Sequence, residues 1–389
     1  MDMKFLTMND FDFNGKKVLL RVDLNSPVTN GKIRLNDRIA EHAKTIKELM
    51  NKKAKVAILA HQGRPGKEDF LDLRQHAKML TKLTGKKIRY VDDLYGNRAI
   101  NKIKNMKPGE AVLLKNVRSS KLEMLTLSPK RHSASDFVKT LTPLFDCFIQ
   151  DAFSVCHRSH ASVVGFAYAM PSIAGRVLEK ELKSLEKIKK IGKATYILGG
   201  AKPEEDLALL KHASKNKILT TGTFCLFCLS AANCNLGKEN EILDKNIVKS
   251  LKMFMKKSNL FMPIDFVDED GKEVELSDLP TDKLIFDIGR KTIDRYKKII
   301  KSSKAIFLKG PVGKYEEKKF QFGTKEIFKA VADSKAFSVV GGGNTVDAIN
   351  KFRIPKNRFS HVSLGGGALI SYVIGKKLPG LEVLKKWTE

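Results

Sequence analysis

Short apolar runs along the chain are separated by longer stretches in which apolar residues recur every three or four positions. In the first half the runs are Val18–Asp23, Val56–Ala60, Ala111–Leu114 and Cys147–Ile149. In the second half they are Thr195–Leu198, Lys217–Leu219, Ala305–Leu308, Phe337–Val340 and His361–Ser363. Short runs rich in Val, Ile and Leu that continue without polar alternation predict strands covered on both faces, and the intervening helical spacing predicts the crossover helices of βαβ units. Both halves are therefore expected to be parallel α/β structures. Between them, in Ser172–Lys190, Leu178, Leu182 and Leu185 fall at i, i+4 and i+7 among charged residues, which predicts a long connecting helix.

Length agrees with two domains, since 389 residues exceed the usual span of one. Hydrophobic residues make up 42% and charged residues 30%, a balance that supports cores and excludes disorder. The longest apolar stretch, residues 224–232, is too short to span a bilayer. The N-terminal MDMKFLTM has no apolar core of the secretory kind, so a cytoplasmic protein is expected. The net charge is +29, but its lysines are scattered as pairs (52–53, 189–190, 256–257, 297–298 and 318–319), which argues for a solvated basic surface and against a dedicated nucleic-acid face. Five cysteines without an export signal read as reduced thiols. Cys225, Cys228 and Cys234 lie in an apolar segment with no nearby histidine and are expected in a core, not around zinc.

Ligands of open α/β sheets bind beyond the carboxyl ends of the strands, so the residues following each run carry the chemistry. In the first half these are LLRVDLNSP (19–27) with Arg21, Asp23 and Asn25, then AHQGRP (60–65) with His61 and Arg64, and further on Arg118, His157 and Arg158. Arg38 lies in the segment after Asn25. Several guanidinium forks at strand ends suit a small substrate with more than one anionic group. The second half carries glycine at the same topological places: GGAKPEED (199–206), KGPVGKYEE (309–317), VVGGGNT (339–345) and VSLGGGA (362–368). Glycine lets backbone N–H groups and helix N-termini approach phosphate closely. The chain contains neither G-x-x-x-x-G-K-[ST] nor a well-placed G-x-G-x-x-G, which excludes a Walker loop and a dinucleotide site. The combination suggests phosphoryl transfer to a small anionic acceptor.

Taken together, LLRVDLNSP, AHQGRPG, DAFSVCHRSHAS, GGAK, MPIDF, GPVGKYEE, GGGNT, HVSLGGGA and KLPG closely resemble phosphoglycerate kinases, especially the archaeal branch, over nearly the whole chain. The resemblance implies two Rossmann-like parallel-sheet domains joined by a long interdomain helix. The first would comprise residues 1–170 with a returning segment 369–389, the hinge helix 174–190, and the nucleotide domain 191–368. It implies that Asp23, Asn25, Arg38, His61, Arg64, Arg118 and Arg158 bind 3-phosphoglycerate. Gly200, Ala201, Lys202, Lys309, Gly310, Glu316, Gly342, Gly343, Asn344 and Thr345 would bind ATP or ADP. Arg38, Lys202, Gly343 and Gly366 would act on the transferred group, flanked by Gly365 and Gly367. The implied reaction is reversible transfer between 1,3-bisphosphoglycerate and ADP, with Mg²⁺, in glycolysis and gluconeogenesis, by hinge-bending closure of a monomer or homodimer. A non-catalytic paralogue that binds phosphoglycerate is the alternative.

The chain departs from the common family pattern at several of these positions. Asn344 replaces the aspartate that approaches the metal, so it is expected to meet Mg²⁺ as a neutral oxygen, directly or through water. Lys309 replaces an asparagine, Asp206 a second lysine after GGAK, Leu364 a threonine and Thr220–Thr221 a glycine pair, and the ENVRF motif reads Lys115-Asn116-Val117-Arg118-Ser119. Against that pattern the changes at 206, 309 and 344 cancel in charge, and the expectation is that Lys309 takes over phosphate neutralisation.

Overall fold

The computed structural model describes residues 5–255 and 258–387, so the Lys256–Lys257 pair lies outside the described residues. The chain divides into two compact units, Met1–Leu182 with Lys376–Glu389, and Lys183–Gly375.

In the first unit six strands form a fully parallel sheet: β1 (Lys17–Arg21), β2 (Lys55–Leu59), β3 (Ile88–Tyr90), β4 (Ala111–Leu113), β5 (Cys147–Gln150) and β6 (Ser172–Ala174). Their order is β3-β4-β2-β1-β5-β6. Leu19 on central β1 pairs with Ala57 on one side and Phe148 on the other. All of β1 after Lys17 is buried, which is why its sequence is continuously apolar up to Arg21. Leu20, Ile58 and Ile149 pack beneath helix α1 (Asp37–Asn51) in one core with Ile39, Ile46 and Leu49. Each such side chain contributes about 2 kcal/mol on burial.

The second unit repeats the plan with β7 (Thr195–Leu198), β8 (Lys217–Thr220), β9 (Asn259–Phe261), β10 (Ala305–Lys309), β11 (Phe337–Gly341) and β12 (His361–Ser363), ordered β9-β8-β7-β10-β11-β12 and parallel throughout. In each sheet the strand order reverses beside the first strand, at β1/β5 and at β7/β10, which is where such folds bind ligands. The unit also carries a three-stranded antiparallel sheet, Asp265–Asp268, Glu273–Glu275 and Ile285–Ile288. Its acidic, short strands lack the apolar runs that betray the others.

Helix α2 (Arg176–Ile191) runs from the first unit into the second, and the division falls inside it. The segment expected to be helical from 174 starts with β6 instead, whose three residues add an edge to the first sheet. Asp151 then caps the helix, its Oδ1 accepting the Val177 and Leu178 N–H groups at 2.7 and 3.2 Å. Leu178, Leu182 and Leu185 are buried as their spacing requires. The returning segment begins at Lys376, later than the expected 369, because the last glycine turn leads into a helix of the second unit, Gly367–Val373. Cys225 and Cys228 are buried free thiols, whereas Cys234 is partly exposed. Among the described residues no helix is long and apolar enough to cross a membrane.

Candidate active site

The first unit builds a basic platform at the carboxyl ends of β1, β2 and β5. Arg21 ends β1 and is almost wholly buried, its Nε donating to Ser162 Oγ at 2.8 Å and one terminal nitrogen lying 3.3 Å from His61 Nδ1. A buried guanidinium needs a counter-charge. Glu123 supplies it through Ser162, accepting the Ser162 hydroxyl and N–H, each at 2.7 Å. Burial pushes the Glu123 carboxyl up, and Arg21, Ser162 and Arg118 offset only part of that rise.

Asp23, two residues beyond β1, is buried beside Arg38 Nε at 3.3 Å and His61 Nδ1 at 3.9 Å and accepts from the Ser154 hydroxyl. Burial alone would raise its pKa, but Arg38, His61 and the Ser154 hydrogen bond outweigh it and hold the carboxyl well below its ordinary range. Burial, reinforced by Arg21, Arg118 and Arg38, lowers the His61 pKa against the pull of Asp23, so the imidazole is neutral at pH 7. Arg38 stands in the first turn of α1, fixed by the Asn36 cap that accepts the Ile39 N–H at 3.1 Å. Asn25 Oδ1 accepts the Gly63 N–H at 2.9 Å, and Asn116 Nδ2 donates to Gln62 and Leu71 carbonyls at 2.8 and 2.9 Å, so the loops after β1, β2 and β4 are stitched together.

Arg118 donates to the Gly63 carbonyl and has its pKa pushed down to about 10, by burial first and then by Arg21, Arg158 and Arg64. Burial and Arg64 likewise lower the pKa of Arg158. Guanidinium groups that disfavour one another's charge create a field that an anion relieves. Sequence reading placed Asp23, Asn25, Arg38, His61, Arg64, Arg118 and Arg158 in one site, and the fold brings their strand ends together. It missed Glu123, Ser162 and Ser154, which touch the site from behind. The one acidic residue of RSSKLEML, five positions after Arg118, was the available signal.

The second unit uses backbone at the same topological place. Gly200, Gly310, Gly342 and Gly366 all have positive φ, from +50° to +109°. At Gly310, φ +87°, a Cβ would lie 1.8 Å from the Gly199 carbonyl oxygen, so β7 and β10 meet there by bare backbone. The Gly310 N–H donates to Thr345 Oγ1 at 2.8 Å, and that hydroxyl donates to the Gly341 carbonyl at 2.9 Å, which ties the loop after β10 to helix α3 (Gly343–Lys351).

A cavity of about 160 Å³ opens among these turns, lined by Gly200, Ala201, Lys202, Glu205, Lys309, Gly310, Gly342, Gly343, Asn344, Thr345 and Gly366. A second, of about 280 Å³, shares Gly200, Ala201, Pro311 and Asn344 with it and is otherwise lined largely by apolar side chains, including Leu226, Ile285 and Val312, together with Glu316. The first has the size and donor set for phosphates at helix N-termini, and the second suits a base and its ribose. All the residues expected to bind nucleotide line one cavity or the other. Lys309 lines the cavity with its ammonium 3.0 Å from Asp206 Oδ1, a contact that places it at the cavity wall. Asn344 is exposed in the first turn of its helix.

One unit that gathers guanidinium groups and another that lines a phosphate-sized cavity with glycine define a phosphotransferase of two α/β units. Comparison with known proteins agrees. The model of the family described as phosphoglycerate kinase matches residues 8–376. Phosphoglycerate kinases of Sulfurisphaera tokodaii and Methanothermus fervidus are 41% and 40% identical to this chain, each covering 98% of it and 96% and 97% of their own length. The crystal structure of phosphoglycerate kinase from Pyrococcus horikoshii superposes with a TM-score of 0.90 at 36% identity, covering 98% of this chain and 99% of that one. The phosphoglycerate kinase of Coxiella burnetii gives 0.85 at 29%, covering 99% and 100%. The chain belongs to the phosphoglycerate kinase family.

Proposed function

We propose that this protein is an active phosphoglycerate kinase of the cytoplasm, transferring a phosphoryl group reversibly between 1,3-bisphosphoglycerate and ADP to give 3-phosphoglycerate and ATP. The observation that carries this reading is the set of mutually repelling guanidinium groups, Arg64, Arg118 and Arg158, at the strand ends of the first unit. They supply the forks that a phosphate and a carboxylate on one small molecule require. Asp23 and His61 hold Arg38 and Arg21 in place.

In the ATP-consuming direction the nucleophile is the carboxylate of 3-phosphoglycerate, ionised at pH 7, so no general base is needed. The protein's work is positioning and charge neutralisation. Arg38 orients the acceptor carboxylate, Lys202 neutralises the transferred group, and Gly343 and Gly366 offer backbone N–H donors without a Cβ in the way. Glu316 takes the ribose hydroxyls. Closure on α2 would bring acceptor and donor together and exclude the water that would hydrolyse an acyl phosphate.

Among the described residues no group of three His, Cys, Asp or Glu side chains could hold a metal ion alone. That fits Mg²⁺, which binds chiefly through nucleotide phosphates with one or two protein oxygens and retained water. Asn344, lining both cavities, would be such an oxygen, directly or through water. Bound there, Mg²⁺ would neutralise charge on the phosphates.

The test is the initial rate of ADP formation from ATP and 3-phosphoglycerate, with and without Mg²⁺, in a coupled assay that removes the bisphosphoglycerate. Magnesium-dependent turnover is expected. Absence of turnover, with 3-phosphoglycerate still binding in calorimetry, would establish the non-catalytic paralogue instead.

A further inference from the structure

Three adjacent acidic residues, Glu204, Glu205 and Asp206, open the helix Pro203–Ala213, and the last two meet the two lysines of the phosphate cavity in different ways. Asp206 is 0% exposed, and neither of its oxygens has a hydrogen bond of good geometry. Lys309 Nζ nevertheless lies 3.0 Å from Oδ1, on a side chain only 7% exposed, so charge holds the two together. A buried carboxylate with no other compensation does not release its cation readily. The Lys309 ammonium also donates to the Lys202 carbonyl at 3.3 Å, which fixes it at the cavity wall.

Glu205 is different. Its side chain is 33% exposed and lines the cavity, with Oε1 at 3.5 Å from Lys202 Nζ and Oε2 at 3.5 Å from Lys309 Nζ. Both contacts are long, and Lys202 is 72% exposed, so each is a weak, water-screened pair. One carboxylate thus bridges the two ammonium groups that face the cavity, in the manner a phosphate oxygen pair would.

We propose that Glu205 is an internal stand-in for phosphate: it occupies both lysines in the ligand-free protein and is displaced by the nucleotide's phosphates, while Asp206 keeps Lys309 at the cavity wall throughout. The exchange breaks two ion pairs and forms two, so the lysines need no new positions and Glu205 sets how tightly nucleotide is held. The inference rests on the cavity being the phosphate site of the proposed function.

The experiment is calorimetric titration of wild type and Glu205→Gln with ADP in the presence of EDTA, so that no metal contact of the carboxylate contributes. Removing the competing charge should tighten ADP by about two- to fivefold, as expected of weak exposed pairs, and leave adenosine affinity unchanged. Raising the salt concentration should shrink the difference. Glu205→Ala, which removes the same charge without leaving an amide, should move ADP in the same direction. Unchanged or weaker ADP binding in both variants would overturn the proposal, as would an equal gain for adenosine, which would mean a general change in the pocket. If wild type itself binds no ADP, the reading of the cavity fails, and the stand-in fails with it.

Discussion

The proposed function sets both units one problem, the binding of anions at the carboxyl ends of a parallel sheet, and they meet it with opposite materials. The first relies on side chains: Arg21, Arg38 and Arg118 are fixed by Glu123, Asp23, Asn116 and Ser162, and every one of those partners must be the right residue. The second relies on backbone: positive φ at Gly200, Gly310, Gly342 and Gly366 shapes the turns, and Gly310 spends its own N–H on Thr345. A side-chain platform binds through fixed charge and is sensitive to each substitution. A backbone cradle binds through dipoles and requires only that nothing larger than hydrogen intrude. Of the departures from the family pattern, Thr221, Asp206, Lys309, Asn344 and Leu364 lie in the second unit, and Lys115 and Ser119 in the first.

The largest effect should come from putting a side chain into the cradle. Gly310→Ala would force a methyl group to 1.8 Å from the Gly199 carbonyl at a φ of +87°. Urea unfolding should show a loss of about 4 kcal/mol, at the upper end for single substitutions. Gly343→Ala meets nothing within 4 Å and is the control. It should keep wild-type stability and lose nucleotide affinity, because the methyl stands only in the ligand's way. Loss of stability in both variants would mean that the turns matter for folding and not for approach.

A somewhat smaller effect should follow from disturbing the side-chain platform. Glu123→Gln removes the larger of the two counter-charges of buried Arg21 and leaves only Asp23, at a cost of about 3 kcal/mol. The KM for 3-phosphoglycerate should rise while ADP affinity stays as it was. A variant that weakened both ligands equally would show that the two sites are not built independently.

The smallest effect concerns pH, and it should have opposite signs in the two units. In the first, burial lowers the pKa values of His76 and His160 to about 4. The unfolded chain, with histidine near 6.5, binds more protons below that value. This contribution is therefore complete above pH 6.5 and is lost as pH falls toward 4, by about 2 kcal/mol per histidine. In the second, burial raises Asp287 to about 7. Folding there takes up protons, so the contribution is complete below about 4, the unfolded value, and is lost as pH rises through about 7. Trp387, the single tryptophan, donates to the Ala167 carbonyl at 2.6 Å and reports on the first unit. Its fluorescence melt should move to lower temperature between pH 7 and pH 5, while the circular-dichroism component of the second unit should not follow it. Parallel shifts of the two signals would contradict the contrast.

Much of this contrast was legible in the chain. The nine strands expected from apolar runs are present within a residue or two of their expected ends, because a strand buried on both faces has to be written in Val, Ile and Leu. The strand-end residues were legible for a related reason: in a parallel sheet the position after each strand faces the ligand whatever the rest of the fold does. Within the two parallel sheets, the strands that went unseen, Ile88–Tyr90, Ser172–Ala174 and Asn259–Phe261, lie at sheet edges, where polar residues are tolerated and the run is too short to declare itself.

Sequence by itself determined the two parallel sheets, the helix linking them and the side-chain and glycine motifs at the strand ends, all of which are local patterns of a few adjacent residues. Tertiary structure decided the partners. That Glu123 reaches Arg21 through Ser162, and that Asp206 and Glu205 both reach the ammonium of Lys309, depend on residues far apart in the chain arriving within a few ångströms of each other. Charge interactions fall off over that distance and strengthen with burial, and neither separation nor burial exists until the chain has folded.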